Sequence, residues 1–364
     1  QIGWMWEFLT QKLGIDPSRL YFTCFRGNTE LGIPRDTEAA VLWQARFSEV
    51  GITASIVDFP EREGMQGGRI FYYDEKKNWW SRAGIPSNMP EGEPGGPDTE
   101  MFFDFRPDLG ERCIPGTPFS SEFCHVNCDC GRFMEIGNNV FMQYKKTAAG
   151  FEELAQKNVD FGGGLERLMA AILGNPDVFA IDLFAKARTV LAQISGKVYG
   201  ADPQETYAYR VVLDHIRAAT FLIGDGIVPS NKDQGYFVRR LIRRAVRFGR
   251  NLGLMQDFTA RVGQAFIETY SEAYPILVER RGYILTELSR EEEKFRKTLE
   301  VGLKEFRKLS GETISGADAF VLFSSYGFPI EIIEELAKET GKSVDIDEFR
   351  KELEKHQDLS RTAS

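Results

Sequence analysis

The sequence predicts an α+β region followed by an all-α region. Two observations carry this. The runs Thr99–Phe105 and Phe133–Lys145 are rich in aromatic residues and read as strands. From Pro203 onward, apolar residues recur instead at helical spacing. A third observation sets the class: 42% of the 364 residues are hydrophobic and 27% charged, the balance of an ordinary globular chain. No apolar run approaches the roughly 18–20 residues of a membrane span, so no membrane partner is expected. The texture changes between 196 and 205, which gives expected domains of 1–198 and 199–364.

In chain order, residues 1–14 have amphipathic helical spacing through Trp4, Phe8, Leu9 and Leu13. Leu20–Phe25 reads as a strand. Asp36, preceded by Pro34, caps a helix running to about Val50, and Ile52–Val57 is a further strand. Residues 83–98 are crowded with Gly and Pro and read as loop. The long connection between the two aromatic strands holds four of the five cysteines. Val159 and Asp160 read as the end of a buried strand that leads into a helix at Leu165–Leu173. The second region predicts helices at 205–223, 233–251, 257–273, 277–309, 316–324, 329–340 and 346–357. The longest carries Leu285, Leu288, Phe295, Leu299, Leu303 and Phe306, nearly a heptad stripe, with Glu292 its single polar slip.

Three segments carry candidate chemistry. Residues 159–167 read Val-Asp-Phe-Gly-Gly-Gly-Leu-Glu-Arg. Gly162, Gly163 and Gly164 bare the backbone at a helix N-terminus, where free N–H groups favour anions. Arg167 stands in the first turn, where the helix dipole prefers acids, so it calls for an anionic neighbour such as a phosphate. The alternative is a glycine loop before an ordinary helix. Second, Arg239, Arg240, Arg243, Arg244, Arg247 and Arg250 fall on an arc of roughly 140° at ~100° per residue. Such a face needs either a phosphate backbone or acids from neighbouring helices. Third, Cys124, His125, Cys128 and Cys130 lie close together with Cys113 upstream. Their spacing is not that of a standard zinc knuckle, so free structural thiols are expected, with zinc as the alternative.

The net charge of −9 excludes a globally basic nucleic-acid binder but not a local basic stripe. Five cysteines, an odd number, without a signal segment suggest a reducing compartment, and a cytoplasmic location is expected. The chain starts at Gln1 and ends without a terminating pattern, as expected of a piece of a longer protein.

Residues 135–144, the glycine triplet, the stretch 210–247 and Ser325-Tyr-Gly-Phe-Pro329 together resemble the alanyl-tRNA synthetases, a class II synthetase family, in the family's order and over essentially the whole chain. The resemblance implies part of the class II antiparallel sheet with flanking helices, followed by a helical domain that reads the tRNA acceptor stem, with Arg239, Arg240, Arg243, Arg244 and Arg247 expected on its phosphates. It implies that alanine attacks the α-phosphorus of ATP to give alanyl-adenylate and pyrophosphate, and that the terminal ribose of tRNA-Ala then takes the alanyl group, with Mg²⁺ required. Arg167 matches the arginine of the third signature motif, which contacts ATP phosphates. Gly164 belongs to the same ATP site, and Glu135 is a candidate Mg²⁺ holder. Asp160 matches the aspartate that holds the α-ammonium of alanine, Gly162 and Gly164 its floor, and Trp80 the wall of the methyl pocket. Asn138 and Val140 match residues beside the amino acid. Asn231 matches a reader of the G·U wobble pair, and Ser324 stands where its aspartate partner is usual. The segment Gly95–Glu100 is expected to be structural.

Departures accompany the match. Gly137 stands where the family usually has a tryptophan, and Phe161 replaces a small polar residue. The family's first two catalytic motifs, its editing domain and its C-terminal domain have no counterpart here. The expectation is therefore a fragment inactive alone in alanyl-adenylate formation. The alternative is a synthetase-derived, non-catalytic tRNA-binding module.

Overall fold

A computed structural model describes residues 1–119 and 123–362. The chain divides into two units, Gln1–Ile181 and Asp182–Ser364.

The first unit is built on strands β1 (Leu20–Phe25), β2 (Ile56–Val57), β3 (Ile70–Tyr73), β4 (Trp79–Ser81), β5 (Pro94–Asp104), β6 (Phe133–Thr147) and β7 (Gly150–Gly163). Their order is β2-β3-β1-β5-β6-β7, with β4 also on β5. Pairing is antiparallel from β1 through β5 and β6 to β7, whereas β1, β3 and β2 run parallel. The two-residue period of a strand sorts side chains to the two faces. On one face Leu20, Phe22, Ile70, Tyr72, Met101 and Phe103 pack under helices α1 (Ile2–Glu7), α2 (Thr37–Glu49) and α4 (Leu165–Leu173). Phe22 stacks on Trp43 with ring centroids 3.7 Å apart. On the other face Tyr21, Phe71, Tyr73 and Phe102 pack against the 106–132 connection, which brings Cys113, Cys124 and Cys130 into this core. A single helical turn, α3 (Pro60–Glu63), lies between β2 and β3.

Asp36 caps α2, its carboxylate accepting from the Ala39 amide at 3.0 Å, as the sequence predicts. Three expectations change. The strand at 52–57 shortens to Ile56–Val57. Residues 94–98, expected as loop, begin β5, because Gly95 and Gly96 let it lie tightly between β4 and β6. A Cβ on Gly96 would strike the Phe141 carbonyl. Val159 is not buried but 58% exposed, because β7 ends the sheet order and pairs with β6 alone among the described residues.

The second unit comprises α5 (Ala185–Ser195), α6 (Pro203–Gly224), α7 (Asp233–Asn251), α8 (Thr259–Tyr270), α9 (Pro275–Glu279), α10 (Arg281–Lys308), α11 (Gly316–Tyr326), α12 (Ile330–Glu339) and α13 (Ile346–Thr362), with β8 (Thr313–Ile314) and β9 (Ser343–Val344) paired in parallel. It starts earlier than the composition suggests, because α5 lies on α8 and Phe184 meets Phe266 edge to face. The polar slip on α10 has a use. Buried Glu292 accepts from the Thr259 amide at 2.9 Å and its hydroxyl at 2.6 Å, which satisfies the first turn of α8. Among the described residues no helix is long and apolar enough to cross a membrane.

Candidate functional site

Antiparallel register assembles one site from distant residues. Val140 on β6 pairs with Asp160 on β7, and Asn138 with Gly162. Trp80 on β4 lies opposite Gly96 of β5. These residues, with Glu135, Gly137, Phe161, Gly163, Gly164 and Arg167, line a cavity of about 320 Å³. Thus the structure brings together Trp80, Glu135, Asn138, Val140, Asp160, Gly162, Gly164 and Arg167. Gly162 forms open floor, since a Cβ there would meet nothing within 4 Å. Trp80 is 38% exposed at the cavity, while Trp79 is buried between Phe25, Tyr144 and Phe151.

At one end of the cavity, Gly164 is the N-cap of α4 and offers no side-chain cap, which leaves the first amides of the helix to a ligand. Arg167 has an anionic neighbour already: its Nη1 donates to the Glu135 carboxylate at 3.2 Å and the Glu135 carbonyl at 3.0 Å. Both side chains are well exposed. An exposed pair of this kind contributes about 0–1 kcal/mol, whereas a charge-assisted contact to phosphate is worth about 1.5–3 kcal/mol. A phosphate at this end would therefore compete with the carboxylate for Arg167. Asp160 is exposed at the β7 edge, its Oδ1 accepting from the Phe161 amide at 2.8 Å.

Behind the cavity lies a polar network that includes Asp98 and Glu100 of the segment expected to be structural. Asn78 donates to Thr23 Oγ1 at 2.6 Å and to Asp98 at 3.1 Å, and Thr23 donates to Glu100 at 3.1 Å. The Asn138 amide also faces the Asp98 carboxylate. Burial pushes Asp98 up to about 7 and Glu100 up to about 8. The available signal was two acids at alternate positions, hence on one face, of an otherwise aromatic strand.

The two departures at Gly137 and Phe161 fit each other. A Cβ on Gly137 would lie 2.9 Å from both the Phe161 ring and Met101 Cε. The ring of Phe161 fills the space beside position 137.

A family model described as "tRNA synthetases class II (A)" matches residues 1–364. The chain belongs to this family. It is 38% identical to the alanine–tRNA ligase of Borrelia hermsii, an alignment covering 99% of this chain and 56% of the relative. It is 40% identical to that of Borreliella afzelii, over 98% and 55%. Against alanine–tRNA ligase 1 of Lachnoclostridium phytofermentans it is 36% identical, over 100% and 38%. The chain thus spans about half the length, or less, of the curated relatives it matches.

The arginine face of α7 requires a correction. Acids from neighbouring helices reach all six of its arginines, including the five expected on phosphates. Glu291 of α10 pairs with Arg239 at 3.4 Å and Arg243 at 2.6 Å. On α12, Glu331 pairs with Arg240, Glu335 with Arg244 and Arg247, and Glu339 with Arg247. Glu300 pairs with Arg250 at 2.9 Å. Arg243 and Arg247 are 2% and 6% exposed, so these two cannot track an RNA backbone. Arg243 also donates to the Gly327 carbonyl, and so fixes the turn that follows α11. Gly327 is left-handed (φ 70°), and a Cβ there would strike the Arg243 guanidinium. Ser324 is exposed on α11, one turn earlier, and Asn231 is exposed in the bend before α7. Asn231 does not cap that helix, whose N-cap is Lys232.

The cysteine group also differs from the expected set. Cys113, Cys124, Cys128 and Cys130 bring their Sγ atoms within 4.8 Å of one another. His125 is not a member; its Nδ1 and the Tyr73 hydroxyl are hydrogen-bonded at 2.8 Å.

Proposed function

We propose that this chain supplies the amino-acid and part of the ATP site of an alanine–tRNA ligase. One observation carries the reading: residues from β4, β6, β7 and α4, singled out separately in the sequence, line one small cavity. Its volume leaves room for a small amino acid together with part of a nucleotide. The Asp160 carboxylate pairs with the α-ammonium, and Trp80 and Val140 face the methyl group. The Gly162–Gly164 backbone leaves room for the reacting carboxylate to approach the α-phosphorus. Arg167 and the α4 amides neutralise phosphate charge as pyrophosphate leaves. Mg²⁺ usually takes one or two carboxylates plus substrate phosphates. Glu135 fits that part, because phosphate binding to Arg167 releases its carboxylate; the ion's contribution is charge neutralisation on the phosphates. tRNA-Ala is the acceptor of the alanyl group, with exposed Asn231 and Ser324 available to base edges and Arg239, Arg240 and Arg244 at most partly so.

Isothermal titration of alanine and of ATP tests the reading. Asp160→Asn should weaken alanine binding on the order of 10–100-fold, the equivalent of about 1.5–3 kcal/mol, and leave ATP binding unchanged. Equal losses for both, or alanine binding untouched, would overturn it.

A further inference from the structure

We propose that Cys113, Cys124, Cys128 and Cys130 form a tetrahedral Zn²⁺ site that staples the 106–132 connection to the sheet. The assignment stands independently of the aminoacylation reading.

The geometry is that of a site needing little rearrangement. Zinc–thiolate bonds of ~2.3 Å in a tetrahedron place the sulfurs about 3.8 Å apart. Here Cys128 Sγ lies 3.9 Å from Cys113 Sγ, 3.9 Å from Cys124 Sγ and 3.3 Å from Cys130 Sγ. Four sulfurs gathered within 4.8 Å enclose one ion and leave no room for the bridging sulfides of a cluster. Three of the four cysteines are buried and the fourth half-buried, so the site is closed, as in structural rather than catalytic zinc. The cysteines come from two separate parts of the loop, and a tight turn, Cys128 N–H to the His125 carbonyl at 3.0 Å, brings Cys124 and Cys128 to the same point.

The surroundings suit bound thiolates. Arg132, buried and paired with Asp104 at 2.6 Å, points Nη1 at Cys124 Sγ from 3.9 Å. Since Asp104 already balances its charge, Arg132 supplies a hydrogen bond, the kind of outer contact that orients a metal ligand. Tyr73 holds the His125 ring, which explains why the histidine lies apart from the sulfur group although it is next to Cys124 in sequence.

The fold also has a use for the staple. Between Asp104 and Phe133 the chain has only one short helical turn, Pro107–Leu109, among its described residues, yet it packs on Tyr21, Phe71, Tyr73 and Phe102 of the sheet. Long connections without secondary structure seldom order themselves. Asn127, next to Cys128, donates to Glu100 at 3.3 Å, and Glu100 pairs in register with Asn138 of the cavity. The metal would thus hold the β5–β6 pair that carries the site.

The chain, purified without chelators, should contain about one zinc per chain by elemental analysis. Exchange for Co²⁺ should give the sulfur-to-cobalt charge-transfer bands and intense visible bands of a tetrahedral four-thiolate ion. Cys113→Ser should lose the metal or convert the spectrum to three thiolates, whereas His125→Ala should keep both content and spectrum. Absence of zinc from the unaltered chain, with the cluster thiols titrating freely or found as disulfides, would overturn the assignment. So would loss of metal on His125→Ala with retention on Cys113→Ser. Should Cys113→Ser fail to fold, the stoichiometry and cobalt spectrum of the unaltered chain still decide.

Discussion

At the scale of single residues, the site combines a family pattern with a local exchange. Gly137 stands where a tryptophan is expected, and Phe161 where a small polar residue is expected. Each change alone is puzzling; in the structure the Phe161 ring lies where a side chain at 137 would begin. Gly137→Trp should therefore be destabilising by about 1–3 kcal/mol through overpacking against Phe161 and Met101. Phe161→Ser should be mildly destabilising, since the ring is 36% exposed. The two together should be better tolerated than their sum, with a coupling of about 0.5–3 kcal/mol in a urea-unfolding double-mutant cycle. Strict additivity would show that the residues do not share one space. Sequence alone presented the two departures as unrelated, because the residues are far apart along the chain and adjacent only through the β6–β7 register.

At the scale of elements, what local periodicity controls was legible and what depends on distant partners was not. Strand β1 and helices α2, α6 and α7 occupy nearly the residues that spacing and caps predict. The start of β5 was misread because its Gly and Pro residues signal loops, whereas here they permit close packing between two neighbours. Strand β5 also carries Asp98 and Glu100, whose ordinary values are 3.8 and 4.5 and which burial raises to about 7 and about 8. Asn78 and Asn138 face Asp98, Thr23 and Asn127 face Glu100, and Glu135, itself paired with Arg167, raises both. Between about pH 4 and 8 the folded chain thus holds protons that the unfolded chain releases. Stability should then fall as pH rises through that window, by on the order of a few kcal/mol per group. Asp98→Asn with Glu100→Gln should flatten the decline in Tm of the ligand-free protein across this range. An unchanged slope would show that the pair stays ionised.

At the scale of the whole molecule, acids outnumber bases and the basic stripe of α7 is neutralised internally. The chain has 54 acidic and 45 basic residues, and its strongest basic stripe is consumed by glutamates of α10 and α12. The stripe itself was legible in the sequence, but its partners were not, since they lie on helices roughly fifty to ninety residues away. This alters what the arginines do. A free cation on the tRNA phosphates would, on replacement, only weaken tRNA binding and flatten its salt dependence. Arg243 is instead buried against Glu291, itself 5% exposed. Its removal leaves the buried Glu291 carboxylate with only the longer contact to Arg239, and the turn at Gly327 unsupported. Arg243→Ala should therefore cost about 3–5 kcal/mol of stability. Arg250→Ala, which breaks a largely exposed pair with Glu300, should cost less than about 1 kcal/mol. Urea unfolding of both variants measures the contrast. If Arg243→Ala unfolds no more easily than Arg250→Ala, while tRNA affinity falls and its salt slope drops by about one phosphate, then Arg243 meets RNA and the buried pair is not what holds it.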